Sequence, residues 1–407
     1  MCPHTPKSFS SSPWSSTRIR SVTEASLYVH IPFCARVCDF CAFYTEPVAN
    51  GRVDEFLNAL ERELEIFSQQ NPFVARTVYL GGGTPSILSP RQFERFFAKL
   101  RSLKIHGDQT REFTIEAMPA TIAPDKARLW REHGVNRVSL GVQSLDETLL
   151  DRLGRPHSVA DVEKTFAILR TAGFDNINLD LIFAIPGQTL DAWRLTLDRA
   201  LALAAEHCST YELTYEDHTV MTAARDAGTT EPIDAETATE MYETGIAALA
   251  ECGYRQYEIS NFARDGFRSL HNLNYWQGGD CAAVGPSAGG YWRGTRTKNV
   301  PDLGQYRTMV SRGVRPIVFA ETLPPRQRAG ELAAFALRMN DGVNSVWFRE
   351  KTGFALEELW RDEIADLCTE GLVEFEGGQL RLTARGRSMA DAVAERLVML
   401  PEVAAIR

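Results

Sequence analysis

Residues 27–41 read LYVHIPFCARVCDFC, a β-rich run that leads directly into a group of three cysteines. Cys34, Cys38 and Cys41 have the spacing C-x3-C-x2-C, so their thiolates can hold one inorganic cluster if the chain loops around it. Iron–sulfur clusters usually take four cysteines, but the chain has Ala42 next and no fourth cysteine nearby. A [4Fe–4S] cluster held by this segment would therefore keep one iron without a protein ligand.

An open coordination position indicates a site that binds substrate or does chemistry, by the reasoning that separates catalytic from structural zinc. The alternative for this segment is a structural zinc ion whose fourth ligand is His30 or a remote cysteine. Scattered cysteines in a chain without an export signal are usually small buried hydrophobic residues. Five cysteines are expected to be of this kind: Cys2, Cys208, Cys252, Cys281 and Cys368.

Short β-rich runs alternate with helical patterns through the first half of the chain. The six runs are LYVHI (27–31), TVYLG (77–81), EFTIEA (112–117), RVSLGV (137–142), NINLDLI (176–182) and STYELTY (209–215). Apolar residues from Val53 to Phe67 recur at i, i+3, i+4 and i+7, which indicates an amphipathic crossover helix. Polar or glycine-rich residues follow each run, as at the active-site rim of a barrel. The sequence therefore predicts an α/β fold, a partial TIM-type (β/α)6 barrel.

Composition divides the first three quarters of the chain into three predicted segments. Residues 1–25 are rich in Ser, Thr and Arg and predict a flexible tail. The barrel is expected over residues 26–220. Residues 221–305 change to a helical period and then to loop-rich sequence through HNLNYW (271–276), which predicts an extension that caps the barrel.

The last segment, residues 306–407, is expected to be a smaller domain. Its helical patterns precede LVEFEGGQLRLT, in which Gly377 and Gly378 form a two-residue hairpin turn between alternating strands. Helices followed by such a hairpin predict an α+β, winged-helix-like domain. DNA binding does not follow, because the segment carries many acidic residues.

Charge and hydropathy exclude several classes of protein. The 407 residues include 44 Lys plus Arg and 53 Asp plus Glu, for a net charge of −9. This balance disfavours the broad cationic footprint of a nucleic-acid-binding protein. No stretch approaches the roughly 18 unbroken apolar residues of a membrane span, and the first residues lack the apolar run of a secretory signal. These features predict a cytoplasmic protein that has neither nucleic acid nor a membrane span among its interactions.

The cysteine segment resembles the signature of the radical S-adenosylmethionine (SAM) superfamily. Other motifs resemble the branch that holds oxygen-independent coproporphyrinogen III dehydrogenase and the heme chaperone HemW. These motifs are GGGTPS (81–86), LGVQSLD (140–146), LGRPH (153–157), DLIFAIPGQT (180–189), YEISNFAR (257–264) and HNLNYW (271–276). The resemblance implies a [4Fe–4S] cluster whose open iron chelates SAM, with Cys34, Cys38 and Cys41 as the cluster ligands.

The resemblance also implies which residues meet SAM. They are Tyr28, Phe40, Gly82, Gly83, Thr84, Glu116, Gln143, Arg155 and Asp180. Elementary chemistry agrees for several of them, since glycines leave bare backbone for a ligand to approach. The carboxylates of Glu116 and Asp180 can accept hydrogen bonds from an ammonium or a ribose, and Arg155 can pair with a carboxylate.

Heme is the third ligand that the resemblance implies, because HNLNYW matches a motif implicated in heme binding in the HemW group. The residues assigned to heme are His271, Tyr275, Trp276, Arg293 and Arg296. Imidazole is a common axial ligand of heme iron, so His271 is the expected ligand. Arg293 and Arg296, with Lys298, would supply cations for the propionates. Without the resemblance, a structural histidine and a solvated basic strand are the simpler interpretation.

Two features favour the chaperone side of the branch. The dehydrogenase group typically has a further cysteine two places after the third, where this chain has Phe43, and a longer ordered N-terminal extension. The prediction is a HemW-like chaperone that binds the cluster, SAM and heme, transfers heme to a client protein and uses an electron donor if radical chemistry occurs. The alternatives are a dehydrogenase that oxidatively decarboxylates coproporphyrinogen III, a radical SAM methyltransferase, and a scaffold with a vestigial cluster site.

The chain departs from the family pattern at three positions. Ala42 stands where Asp is common, Met118 replaces the Asn of E-A-N-P, and Gly289 replaces the His of G-A-H. The histidine missing at Gly289 is expected to remove one polar or heme contact.

Overall fold

The computed structural model describes residues 23–49 and 51–398. Within these ranges it contains seventeen strands and fifteen α-helices. The strands are β1 Thr23–Ile31, β2 Phe33–Cys34, β3 Glu46–Pro47, β4 Phe73–Gly82, β5 Glu112–Ala117, β6 Arg137–Gln143, β7 Ile177–Phe183, β8 His207–Glu212, β9 Arg255–Gln256, β10 Asn261–Ala263, β11 Cys281–Val284, β12 Gly289–Trp292, β13 Thr295–Asn299, β14 Ile317–Thr322, β15 Val343–Asn344, β16 Val373–Glu376 and β17 Gln379–Leu382. The helices are α1 Arg52–Gln70, α2 Pro90–Ser102, α3 Pro124–Glu132, α4 Glu147–Arg152, α5 Val159–Thr171, α6 Leu190–Ala202, α7 Val220–Asp226, α8 Ala235–Glu251, α9 Leu270–Trp276, α10 Leu303–Ser311, α11 Pro325–Leu337, α12 Ser345–Thr352, α13 Leu356–Thr369, α14 Ala384–Ser388 and α15 Ala390–Val398.

Six neighbouring strands form the barrel that the sequence predicts. Strands β1, β4, β5, β6, β7 and β8 pair in parallel in that order and coincide with the six β-rich runs. Helix α1 buries the predicted apolar face from Val53 to Phe67 against them. Ser89 and Ser158 begin α2 and α5 with capping boxes, which satisfy backbone N–H groups that have no partner within the helix. The architecture is the expected partial TIM-type (β/α)6 barrel.

The extension after the barrel lengthens the sheet at both edges. The whole sheet has twelve strands in the order β14-β13-β12-β11-β1-β4-β5-β6-β7-β8-β10-β9. Strand β11 pairs in parallel with β1, with Ser26 opposite Cys281, and so adds a seventh parallel strand. The same sheet continues through β14 to Thr322, beyond the boundary expected at residue 305. The division into a barrel and an extension otherwise stays a prediction.

The predicted tail falls almost entirely outside the described residues. Residues 1–22 are not described, and residues 23–25 belong to β1. The tail prediction is therefore wrong for its last three residues. They pair with Phe73 and its neighbours in β4.

The C-terminal unit has the helix and strand order of a winged helix. Helix α11 is followed by β15, α12, α13 and the hairpin β16–β17, and the three strands form a separate sheet in the order β15-β17-β16. Gly377 and Gly378 have φ values of 57° and 75° and connect the paired residues Glu376 and Gln379. Positive φ at both central positions is what a two-residue type I′ hairpin requires. Trp360 and Phe348 lie in a hydrophobic core that belongs to this unit.

The described part of the chain contains no helix with the length and apolar character needed to cross a membrane.

Candidate cofactor site at the barrel rim

A cavity of about 1210 Å³ opens at the carboxyl ends of the barrel strands. Cys34, Cys38 and Cys41 line it, and so do eight of the nine residues expected at SAM: Phe40, Gly82, Gly83, Thr84, Glu116, Gln143, Arg155 and Asp180. The exception is Tyr28, which is not a lining residue and whose hydroxyl donates to Nδ1 of His30 at 3.1 Å. The fold thus brings together residues that lie up to 146 positions apart in the sequence.

The cysteine loop is fixed to the barrel from two directions. The backbone N–H of Asp39 donates to the carbonyl of Leu153 at 3.1 Å, and its carbonyl accepts from the N–H of Met221 at 2.8 Å. Arg155 donates from Nη1 to Cys38 Sγ at 3.2 Å and from Nη2 to the Gly141 carbonyl at 2.8 Å. The LGRPH segment therefore positions the loop and places a cation beside one thiol.

The thiols face a site with few charges to stabilise a thiolate. Burial raises the pKa of both Cys34 and Cys41, and the neighbouring thiols add to the effect. Cys34 Sγ lies 3.4 Å from Thr84 Oγ1, a contact that acts in the opposite direction, as does the charge of Arg155. Positively charged iron is the kind of partner that would favour three thiolates here.

The donor set fits an iron–sulfur cluster better than a single metal ion. Within residues 23–49 and 51–398, no three His, Cys, Asp or Glu side chains converge as ligands of one ion. A cluster places each thiolate on a different iron, so its ligands need not converge on one point. His30, the fourth ligand of the zinc alternative, donates from Nε2 to the Tyr44 carbonyl at 2.9 Å and accepts at Nδ1 from Tyr28. The zinc alternative therefore lacks its nearby imidazole.

The glycines of the GGGTPS turn are required by contacts within the protein. Gly82 has φ 109°, and a Cβ at this position would lie 2.6 Å from the His30 ring. A Cβ on Gly83 would lie 2.8 Å from backbone atoms of Pro32 and Phe33. The turn packs directly on the segment before the cysteines, so close approach of the loop, in addition to any ligand, accounts for these glycines.

Two carboxylates of the barrel strands face the cavity, Glu116 near the end of β5 and Asp180 in the middle of β7. Glu116 accepts from the Tyr79 hydroxyl at 2.8 Å and from the Gly82 N–H at 3.1 Å, and burial raises the pKa of its carboxyl to about 7. Asp180 accepts from Ser139 Oγ at 2.9 Å and from Asn178 Nδ2 at 2.8 Å, and burial raises its pKa as well. A cationic ligand between these two groups would favour their ionised forms.

Comparison with known proteins agrees with this geometry. The model of the radical SAM superfamily matches residues 28–200, and that of the HemN C-terminal domain matches residues 323–389. The heme chaperone HemW of Bacillus subtilis (strain 168) is 35% identical over 369 residues, which cover 90% of this chain and 97% of that protein. The chain belongs to the HemW family of radical SAM proteins. The heme chaperone HemW of Lactococcus lactis subsp. lactis (strain IL1403) is 32% identical, with coverage of 92% and 97%.

A solved structure has the same fold as this chain. Coproporphyrinogen III oxidase (HemN) from Escherichia coli, described as a radical SAM enzyme, superposes with a TM-score of 0.80 at 24% sequence identity. The match covers 92% of this chain and 90% of that chain. It includes the C-terminal unit as well as the barrel, and at this identity it establishes the fold alone.

The HNLNYW segment, expected to bind heme in this HemW-family protein, begins at the base of the barrel, where Glu112 at the start of β5 accepts from the backbone N–H groups of Leu270 and His271. His271 is 1% exposed, and its Nδ1 lies 2.8 Å from Oγ1 of Thr77, in the middle of β4. Its Nε2 lies 3.3 Å from the Tyr275 hydroxyl, and its ring stacks on Tyr79. Both ring nitrogens have protein partners and neither His271 nor Tyr275 lines the cavity, so the structure argues against His271 as an axial ligand.

The cations expected for propionates also lie away from the cavity. Arg296 forms ion pairs with Glu321 and Glu331. Arg293 is exposed and donates from Nη2 to Thr23 Oγ1 at 3.3 Å, and Lys298 is exposed on β13. Neither the ion-paired guanidinium nor the two exposed cations are positioned to meet a ligand at the rim.

The three positions at which the chain departs from the family pattern also differ in whether they line the cavity. Ala42 and Met118 line the cavity, so they change its surface directly. Gly289 is exposed on β12, and a Cβ there would meet only the Thr297 carbonyl at 4.0 Å. The missing histidine at Gly289 therefore removes no contact at the rim.

No sequence motif indicates which residues form the far wall of the cavity. Arg338, Arg387 and Met389 from the C-terminal unit line it, together with Tyr242 of α8 and Ser260 before β10. No recognised motif contains the two arginines. Only the fold shows that the C-terminal unit borders the rim.

Proposed function

We propose that this HemW-family protein holds a [4Fe–4S] cluster through Cys34, Cys38 and Cys41, binds SAM and heme at the rim cavity, and transfers the heme to a client protein. The observation that carries the proposal is the convergence of the three thiols, Arg155 and the carboxylates of Glu116 and Asp180 on one cavity. The curated HemW relatives, which match over nearly their whole length, support the chaperone role.

The residues of the rim have separable roles in this proposal. A bound cluster with an open iron supplies a coordination site and one-electron reduction for SAM. Arg155 keeps Cys38 in place, because its guanidinium donates both to the Cys38 sulfur and to the Gly141 carbonyl. Glu116 and Asp180 accept hydrogen bonds from the amino and ribose groups of SAM. Their elevated pKa values fall when such a cation arrives, so the binding of SAM is coupled to release of protons.

The size of the cavity supports a second ligand. Pockets for one small molecule usually measure about 300–1,000 Å³, and this cavity measures about 1210 Å³. One half of its wall is formed by the barrel strands and carries Glu116 and Asp180. The other half is formed by the C-terminal unit and carries Arg338 and Arg387. We place heme in the half beside the C-terminal unit, because His271 is buried and does not line the cavity.

The test is anaerobic reconstitution of the full chain with iron and sulfide, followed by parallel titrations with SAM and hemin. We expect about four irons per chain, saturable SAM binding and a shift of the hemin Soret band. Heme should then move to an added heme-free acceptor protein. An intact cluster with no hemin binding would contradict the chaperone function.

The same preparation tests the alternative reactions. Coproporphyrinogen III is incubated with the reconstituted protein, SAM and a reductant, and the products are analysed for decarboxylation. We expect no decarboxylation while SAM still binds. Formation of protoporphyrinogen would replace the chaperone proposal with the dehydrogenase, and transfer of a labelled methyl group from SAM would replace it with a methyltransferase.

A further inference from the structure

The cationic side chains of the cavity come from two parts of the chain. Among the described residues, its Lys and Arg side chains are Arg36, Arg155, Arg338 and Arg387. Arg36 is exposed on the cysteine loop, and Arg155 is committed to Cys38 and the Gly141 carbonyl. Arg338 and Arg387 belong to the C-terminal unit. They line the half of the cavity that this unit borders.

These two guanidinium groups retain much of their hydrogen-bonding capacity. Each has five N–H donors. Arg338 donates from Nη1 to Asp391 at 2.9 Å, and Arg387 donates from Nη1 to the Leu382 carbonyl at 3.4 Å. The Nε atoms of both are buried, and neither has a partner within the described part of the chain. Buried N–H groups of this kind are costly unless something pairs with them.

The carboxylate already beside Arg338 can be displaced. The side chain of Asp391 is 90% exposed, and ion pairs at such exposure contribute little free energy. A ligand carboxylate can therefore take its place at Arg338 without a large loss. Because guanidinium groups pair with carboxylates in a planar, two-point geometry, the natural ligand chemistry for this wall is a carboxylate.

Trp276 connects this wall to the HNLNYW helix. The guanidinium of Arg338 lies 5.1 Å from the centre of the Trp276 ring, and the same ring packs edge-on against Phe335 at 6.3 Å. A cation above an indole ring is attracted to its face. The motif thus reaches the cavity through Arg338, although Trp276 does not line the cavity itself.

We infer that Arg338 and Arg387 form a carboxylate-binding site that takes the two propionates of heme, and that Trp276 is a positioning residue for Arg338. The inference rests on the proposed function. It gives the heme a direction, with its carboxylates toward the C-terminal unit and its apolar edge toward the barrel. The acidic side of the cavity, with Glu116 and Asp180, would repel the propionates and so favours the same direction.

The experiment compares hemin with hemin dimethyl ester, which has the same macrocycle and no carboxylates. Both are titrated into the reconstituted full chain and into R338Q, R387Q and the control R385Q. Arg385 lies on the same helix as Arg387 but is exposed and donates to the Glu370 carbonyl. We expect the unsubstituted protein to prefer hemin, and each cavity variant to lose about tenfold in hemin affinity with the ester unaffected. R385Q should match the unsubstituted protein.

A second pair of variants tests the role of Trp276. W276L should lower hemin affinity a few-fold, leave ester affinity and iron content unchanged, and have no further effect when combined with R338Q. A purely structural role would instead weaken both ligands and remain additive with R338Q, which would overturn the positioning role.

The outcomes separate this inference from the function on which it rests. Equal affinity for hemin and its ester, or unchanged hemin affinity in R338Q and R387Q, would overturn the carboxylate site and leave the heme chaperone intact. Failure of the unsubstituted protein to bind either compound, with iron and SAM bound normally, would overturn both.

Discussion

The two ends of the barrel use similar side chains in opposite ways. At the rim, thiols, guanidinium groups and carboxylates line a cavity at the carboxyl ends of the strands. At the base, His271 and Glu112 are enclosed and bonded to protein groups. Glu112 accepts from the backbone N–H groups of Leu270 and His271 at 2.7 and 3.1 Å, and so fixes the start of the HNLNYW helix. A motif rich in His, Tyr and Trp can therefore stabilise a fold as well as bind a ligand.

Loss of a rim thiol should have the largest effect. In C38S the expected iron content falls from about four per chain to nearly none, because two cysteines hold a cluster poorly and the hydroxyl is a weak ligand for iron. Thermal unfolding of the apoprotein should change little, since Cys38 is only partly buried. The matched control is C252S, at an exposed cysteine remote from the cavity, which should reconstitute fully. Full iron content in C38S would remove this thiol from the ligand set.

Substitution at the base should act on stability instead. H271A leaves a cavity beside Tyr79 and removes the contacts of the imidazole nitrogens with Thr77 and Tyr275, so the free energy of unfolding should fall by about 2–4 kcal/mol. Iron content and hemin affinity of the folded fraction should stay near those of the unsubstituted protein. H218A, at an exposed histidine, should be neutral within about 0.5 kcal/mol. Lost hemin binding at unchanged stability would restore His271 as a heme ligand.

A smaller effect of His271 is expected on the pH dependence of the free energy of unfolding. Burial lowers the pKa of His271 to about 3, while an unfolded histidine titrates near 6.5. As the pH falls below 6.5 the unfolded chain takes up a proton that the folded chain does not, so this part of the stability is complete above pH 6.5 and declines below it. Denaturant unfolding at pH 7 and 5.5 should show about 1 kcal/mol more loss in the unsubstituted protein than in H271Q.

The opposite sign would show that His271 is charged in the folded protein. Glu63 makes the comparison between variants necessary, because burial raises the pKa of its carboxyl to about 7. A raised carboxyl pKa costs stability as the pH rises from about 4.5 to 7, and this contribution cancels when H271Q is compared with the unsubstituted protein.

The barrel and its rim could be predicted because their signals are local. Each of the six parallel strands is a β-rich run, and the cavity residues expected from the sequence lie in those runs or in the segments that follow them. Strand β11 was missed because Cys281–Val284 is four small or apolar residues with no period, and its partner β1 lies about 250 residues earlier. Parallel pairing across such a separation leaves no mark in either segment.

The ends of the barrel could not be assigned from sequence for a related reason. His271 looks the same whether its helix lies at the rim or at the base, and the bonds from the start of that helix to Glu112, the first residue of β5, decide between them. Arg338 and Arg387 belong to no motif, and their importance depends on how the C-terminal unit packs on the barrel.

The pairing of β11 with β1 also means that β1 gains its second neighbouring strand only late in synthesis. One edge of the strand that leads into Cys34 stays without its partner until residues 281–284 have been translated. At about 5–20 residues per second this interval lasts roughly ten to fifty seconds. During that time the nascent cysteine loop sits beside an unprotected strand edge, a ready template for mispairing. A chaperone could bind the ribosome-bound chain, or iron and sulfide could be inserted, during this interval before the sheet is complete.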